Sequence, residues 1–149
     1  VDTNALGKEE NISQWITTIS VADVDAAVER VSDAGGNVLN PPESIGDRGR
    51  MAVVADSAGA LFAMIQTRDG DPADSEPVQN GWLWDELWTS DVDSATGFYQ
   101  AVLGFQHTDH DVESLDRDYR VLKYRDKPRA GVLQNPFEDQ RPVWVNYIR

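Results

Sequence analysis

The densest piece of chemistry in the chain is Trp84-Asp85-Glu86-Leu87-Trp88. In an extended segment alternate residues share a face, so Trp84, Glu86 and Trp88 stand together and two indoles flank one carboxylate. Indole faces attract planar rings and cations at about 0.5–2 kcal/mol per contact, and the carboxylate adds charge complementarity. The same tryptophans could instead fill a core or an interface, where large aromatic side chains are common. His107 and His110 lie in FQHTDHD. Their spacing puts them on opposite faces of a strand, so they cannot chelate one ion together unless the segment turns, and they read as exposed strand-end residues. Cysteine is absent, which removes the thiol nucleophile, the thiolate metal site and the disulfide framework. The chain contains neither a G-x-S-x-G nucleophile motif nor a glycine-rich phosphate loop. Arg48 and Arg50 are within sequence reach of a strand start, where they could meet an anion or pair with carboxylates.

The 149 residues suffice for one compact core or for two small motifs sharing a core. About 40% of them are hydrophobic and 26% charged, a globular composition. A net charge of -13 argues against nucleic acid and anionic membrane surfaces, which need basic patches. The same acidity favours a cationic ligand. No apolar run reaches membrane-spanning length, and VDTNALGKEE lacks a secretory core, so a cytoplasmic protein is expected. The start at Val1 rather than Met suggests processing or an excised fragment.

The elements that must position these residues repeat. WITTISVADVDAAVERV (Trp15 to Val31) and LWDELWTSDVDSATGFYQAV (Leu83 to Val102) each run from an alternating strand into an aspartate and then into a helical pattern. Asp23 and Asp91 are the expected N-caps. Val24, Ala27, Val28 and Val31 make one buried stripe; Ala95, Phe98, Tyr99, Val102 and Leu103 make the other. Gly35 or Gly36 and then Gly104 stop the helices. After each helix the period becomes two. NVLN, RMAVVAD and ALFAMIQT read as strands in the first copy, with a tight DSAG turn between the last two. FQHTDHD, YRVLKYRD and AGVLQN read as strands in the second. Each copy is thus a β-α-β-β-β module: residues 14–67 and 82–138, with a Pro-, Gly- and Asp-rich linker at 68–81. The tail VWVNYI repeats the pattern of QWITTI, so residues 142–149 read as the first strand of a third module. Trp15, Trp82 and Trp144 begin strands and are expected to pack the ends of the sheets.

Two such modules resemble the vicinal oxygen chelate superfamily of glyoxalase I, bleomycin-resistance proteins and extradiol dioxygenases. The resemblance rests on VADVDAAVERVSDAGGNV, GRMAVVADSAGALFAMIQ and WDELWTSDVDSATGFYQAVLGF, and it covers roughly Trp15 to Asn135. It implies an α+β fold of paired modules, with curved mixed sheets around a cup and one helix outside each. The pattern is most similar to tandem proteins of four modules, of which this chain would hold the second, the third and one strand of the fourth. The modules could pair with each other into one cup or with modules of another chain, and a homo-oligomer is expected because a lone module leaves an open sheet edge.

In metal-using members the ligands project into the cup from the first and last strands of each module. Here those positions fall at Ile16, Trp84, Val145 and Ala63, none of which can coordinate an ion. Gln134 is the only plausible donor in AGVLQN, and Glu86 lies one pleat from its expected place. We therefore assign no metal ligand, no cofactor and no catalytic residue, and expect Trp84, Glu86, Trp88, Thr18 and Tyr147 to bind ligand. The function expected is metal-independent binding of an aromatic or cationic small molecule. The alternatives are a metal-dependent lyase, isomerase or dioxygenase with an atypical site, and a regulatory module whose cup is filled by its own side chains.

Overall fold

The computed structural model describes residues 15–110, 118–137 and 139–149. Gln14, where the first module was expected to begin, and Asp111, the end of FQHTDHD, lie outside them. In the first module the order is β1 (Thr18–Ser20), α1 (Val24–Asp33), β2 (Asn37–Ser44), a short 3-10 turn (Gly46–Arg48), β3 (Gly49–Ala55) and β4 (Leu61–Thr67). The second continues with β5 (Trp82–Thr89), α2 (Val92–Leu103), β6 (Gln106–His110), β7 (Tyr119–Tyr124) and β8 (Lys127–Gln134), and β9 (Val143–Ile148) follows. These make a four-stranded sheet of order β1-β4-β3-β2 and a five-stranded sheet of order β6-β7-β8-β5-β9. This is an α+β fold of curved mixed sheets, as the resemblance implies.

Local chemistry accounts for the elements. The Asp23 carboxylate accepts from the Ala26 amide at 3.0 Å, and that of Asp91 from the Ser94 amide at 2.9 Å. Each satisfies an amide that the first helical turn leaves without a partner. Both helices end where a glycine takes the left-handed conformation that a side chain disfavours: Gly35 at φ 82° and Gly104 at φ 70°. The last hairpin is longer than AGVLQN suggests. Arg125 and Asp126 both adopt positive φ, a two-residue turn whose twist matches its strands, so β8 starts at Lys127.

Within each module the first strand pairs parallel with the last: Thr18 with Ala63, and Glu86 with Gly131. No strand of one module pairs with a strand of the other among the described residues. The modules meet instead through their helices and the sheet faces that carry them. Phe62 of β4 packs on Phe98 and Tyr99 of α2, with ring centroids 6.4 and 5.4 Å apart. Trp144 of β9 reaches the same Tyr99 at 5.4 Å. The Arg30 guanidinium of α1 donates to the Val102 carbonyl of α2. One continuous core joins Val24, Ala27 and Val31 to Phe62, Met64, Leu87, Phe98, Tyr99 and Trp144. Burying such surface yields about 25 cal/mol per Å², which makes the interface part of the fold.

The three strand-starting tryptophans separate. Trp15 and Trp82 are 85% and 52% exposed, against 6% for Trp144. The expectation that all three pack the sheet ends therefore fails for the first two. Trp144 is buried because it stands opposite Leu87, on the face turned toward α2. Among the described residues no helix is long and apolar enough to cross a membrane.

Candidate binding site

The five-stranded sheet uses one face for the core, through Leu87, Leu122, Val132 and Trp144. Its other face carries Trp84, Glu86 and Trp88 of β5, Tyr119 of β7, Gly131 of β8 and Tyr147 of β9. Registers make these neighbours: Trp84 lies opposite Tyr147, Glu86 opposite both Val145 and Gly131, and Tyr119 opposite Leu133.

The side chains form one hydrogen-bonded cluster around Glu86. Its Oε1 accepts from the Tyr119 hydroxyl at 2.9 Å. Its Oε2 accepts from the Tyr147 hydroxyl at 2.7 Å and from the Trp88 indole N–H at 3.3 Å. The Trp84 indole N–H donates to the Tyr119 oxygen at 3.0 Å. Burial, reinforced by the adjacent Glu86 carboxylate, pushes both phenols up to about 12, so each keeps its proton and remains a donor. An open hollow of about 410 Å³ lies beside the cluster, lined by Leu83, Trp84, Glu86 and Tyr147. Phe137 packs on Trp88 with ring centroids 5.8 Å apart.

Four of the five expected ligand-binding residues, Trp84, Glu86, Trp88 and Tyr147, are thus brought together. Thr18 is not among them: it lies on the other sheet, and its hydroxyl donates to the Ile16 carbonyl at 3.3 Å. Tyr119 was missed. Its place opposite Leu133 was hidden by the undetermined register of β7, although its parity in YRVLKYRD was readable. Gly131 was missed too. A Cβ there would stand 2.1 Å from the Tyr119 oxygen, so the absence of a side chain is what lets the phenol reach Glu86.

The positions where the resemblance implies metal donors can now be placed. Thr18 and Glu86 stand at the same distance before their capping aspartates. Ala63, opposite Thr18, is therefore matched in the second module by Gly131, opposite Glu86. Gln134 instead pairs with Thr89 at the strand end and is exposed; it is off the Glu86 face because its parity is that of buried Val132. Ile16, Ala63, Trp84, Gly131 and Val145 offer no metal-ligating side chain, and the Glu86 carboxylate already accepts three hydrogen bonds from two phenols and an indole. Among the described residues no three of His, Cys, Asp or Glu converge. The residues present do not fit the metal. Of the histidines, His107 pairs with Leu122 and His110 with Tyr119, positions of opposite parity. Arg50, considered as an anion contact, is paired with Asp25 at 2.9 Å.

Residues 5–64 match the Glyoxalase/Bleomycin resistance protein/Dioxygenase superfamily. CFP32 of Mycobacterium tuberculosis (strain CDC 1551 / Oshkosh), a glyoxylase by name, is 35% identical over 90% of this chain and 51% of its own length. The anthracycline biosynthesis protein DauV of Streptomyces sp. (strain C5) is 39% identical over 88% of this chain and 47% of its own. The chain therefore spans about half the length of the curated relatives it matches. The crystal structure of glyoxalase I from Zea mays aligns over 89% of this chain and 42% of that one, at 23% identity and a TM-score of 0.33, too slight a likeness to bear on the arrangement above. The two β-α-β-β-β modules, the match over residues 5–64 and these relatives support the glyoxalase, bleomycin resistance and dioxygenase superfamily, the vicinal oxygen chelate proteins.

Proposed function

We propose that this chain is the middle of a tandem glyoxalase-like protein that binds an aromatic or cationic small molecule on its Glu86 face, without a metal ion held by these residues. The observation that carries the proposal is the replacement of metal donors by a carboxylate set among aromatic side chains. The positions of the chelating residues hold Ile16, Ala63, Trp84, Gly131 and Val145, while Glu86, Trp84 and Tyr147 line the hollow. A relative named for anthracycline biosynthesis is in keeping with a planar aromatic ligand.

The pairing of β9 supports the four-module reading. If β9 repeats β5, Val145 stands for Trp84 and Tyr147 for Glu86. The observed pairs Trp84–Tyr147 and Glu86–Val145 then exchange under a two-fold rotation, as two equivalent first strands would. On this reading β9 opens a further module, residues 142–149, that completes the cup over Glu86. The module bounds 14–67 and 82–138, the linker at 68–81, self-association into a homo-oligomer and a cytoplasmic setting belong to the same proposal.

The test is metal analysis of untagged protein purified without chelator, followed by tryptophan fluorescence titration with aromatic compounds. No bound transition metal, even after incubation with zinc, nickel, manganese or iron, together with saturable quenching, is the expected result. A stoichiometric metal would overturn it in favour of a lyase, isomerase or dioxygenase with an atypical site. The absence of both metal and quenching would favour a regulatory module.

A further inference from the structure

The Glu86 cluster has a one-sided hydrogen-bonding capacity. Its side-chain donors are the two indole N–H groups of Trp84 and Trp88 and the two hydroxyls of Tyr119 and Tyr147. All four donate inside the cluster, three to Glu86 and one to Tyr119. A neutral phenol has one proton to give and an indole N–H only one, so none of these side chains has a donor left for a ligand. What remains is acceptor capacity: the unfilled lone pairs of the carboxylate and of the phenol oxygens, and the negative faces of the rings. No Lys, Arg or His among the described residues forms an ion pair with Glu86. The carboxylate charge in the hollow is stabilised by hydrogen bonds and is not neutralised.

From this we infer that the ligand of the Glu86 hollow presents a cationic nitrogen, a protonated or quaternary amine carried on an apolar or aromatic body. An ammonium supplies what the cluster lacks, namely positive charge and, when protonated, donors. It is drawn both to the carboxylate and to the aromatic faces. Anions and carbonyl acceptors find no donor here among the side chains and meet the carboxylate charge at close range. The net charge of -13 raises the local concentration of cations in the same sense. Leu83 and Trp84 at the edge of the hollow supply surface for the apolar body. The inference rests on the proposal that this face binds a small molecule, and adds the sign of the ligand.

Matched probes test it on the whole chain. Benzyltrimethylammonium, its uncharged carbon analogue neopentylbenzene and the anion benzenesulfonate are titrated against tryptophan fluorescence, with wild type and Glu86→Gln. The expected result is that the cation binds about tenfold more tightly than the neutral analogue, that the anion does not bind, and that Glu86→Gln brings cation and neutral analogue to within about threefold. Equal affinity for cation and neutral analogue in the wild type overturns the inference and leaves the binding proposal standing, as does a preference that survives Glu86→Gln. Binding of no probe overturns both. Should Glu86→Gln fail to fold, the wild-type preference is measured at about 0.5 M salt, where screening acts over a few ångströms. A preference that shrinks supports the carboxylate as its source, and one that does not shrink rejects it.

Discussion

The molecule contains one arrangement of side chains twice, once in its interior and once on its open face. In the interior, the Trp144 indole N–H donates to the Tyr99 oxygen at 3.0 Å, and the Tyr99 hydroxyl donates to Asp56 at 3.0 Å. On the open face, Trp84 donates to Tyr119 and Tyr119 to Glu86 in the same order. Residue chemistry is shared; surroundings differ. Tyr99 is fully buried and Asp56 is 1% exposed. Asp56 also accepts from the Ala58 and Ala60 amides of its own turn, each at 2.9 Å. The inner chain thereby fastens the β3–β4 turn of the first module to α2 and β9. The outer carboxylate is held by side chains alone and borders a hollow. Burial closes the first acid to any ligand, and the hollow leaves the second one accessible.

The sharpest way to break this comparison is to delete the middle hydroxyl of each chain. Tyr99→Phe leaves a buried carboxylate oxygen and a buried indole N–H without partners, and should cost about 3 kcal/mol. Tyr119→Phe, where water can reach both partners, should cost less than about 1 kcal/mol. Urea denaturation of the two variants measures the difference, and similar losses would remove the distinction between interior and open face.

Gly131→Ala comes next. The added methyl group occupies the place of the Tyr119 hydroxyl, so the phenol must swing away and give up its bonds to Glu86 and Trp84. We expect a loss of about 1–2 kcal/mol and a changed tryptophan emission; an unchanged spectrum and stability would show that the phenol does not depend on this gap.

A smaller effect concerns acidity. Burial raises the Asp56 carboxyl above its ordinary range, against the hydrogen bonds that lower it. The folded protein thus holds this proton more tightly than the unfolded chain. Protonated Asp56 contributes stability that is lost as pH rises from the ordinary carboxylate range through the raised value. The stability advantage of wild type over Asp56→Asn should therefore be greater at about pH 5 than at about pH 8. An advantage that grows with pH would reverse the assignment.

The smallest effect is expected at the linker. Asp74 accepts from Lys127 and Arg129, whose hydrogen bonds hold its carboxyl down to about 2. All three side chains are open to solvent, where ion pairs contribute little. Asp74→Asn should leave the urea midpoint unchanged within error, and a clear shift would mark the linker as part of the fold.

Much of the site could be read in the sequence because alternation is a local property. Trp84, Glu86 and Trp88 share a face in any extended strand, and Asp23 and Asp91 cap their helices through contacts only a few residues long. Tyr119 and Gly131 could not be assigned in the same way. Their parts depend on which residue of β7 lies beside which residue of β8, and that register is fixed by the Arg125–Asp126 turn and by packing across the whole sheet. Gln134 was misplaced for the same reason, since its face follows from β8 pairing with β5. Trp15 and Trp144 look equivalent in the repeat, yet one is exposed and the other buried, because Trp15 lies ahead of β1 while Trp144 packs on Tyr99 of α2.

The sequence by itself determined the module pattern, the helix caps and the alternation that groups two indoles around Glu86, each set by neighbours along the chain; that Ile16, Ala63, Trp84 and Val145 stand where metal donors are expected is what the resemblance implies. Tertiary structure alone decided that the modules join through α2, Phe62 and Trp144 rather than by strand edges, and that Tyr119 and Tyr147 close on the carboxylate. It also decided that one Trp-Tyr-acid chain is buried while its counterpart borders a hollow. Those outcomes depend on contacts between residues far apart in sequence, whose energies are settled only when the competing surfaces are packed together.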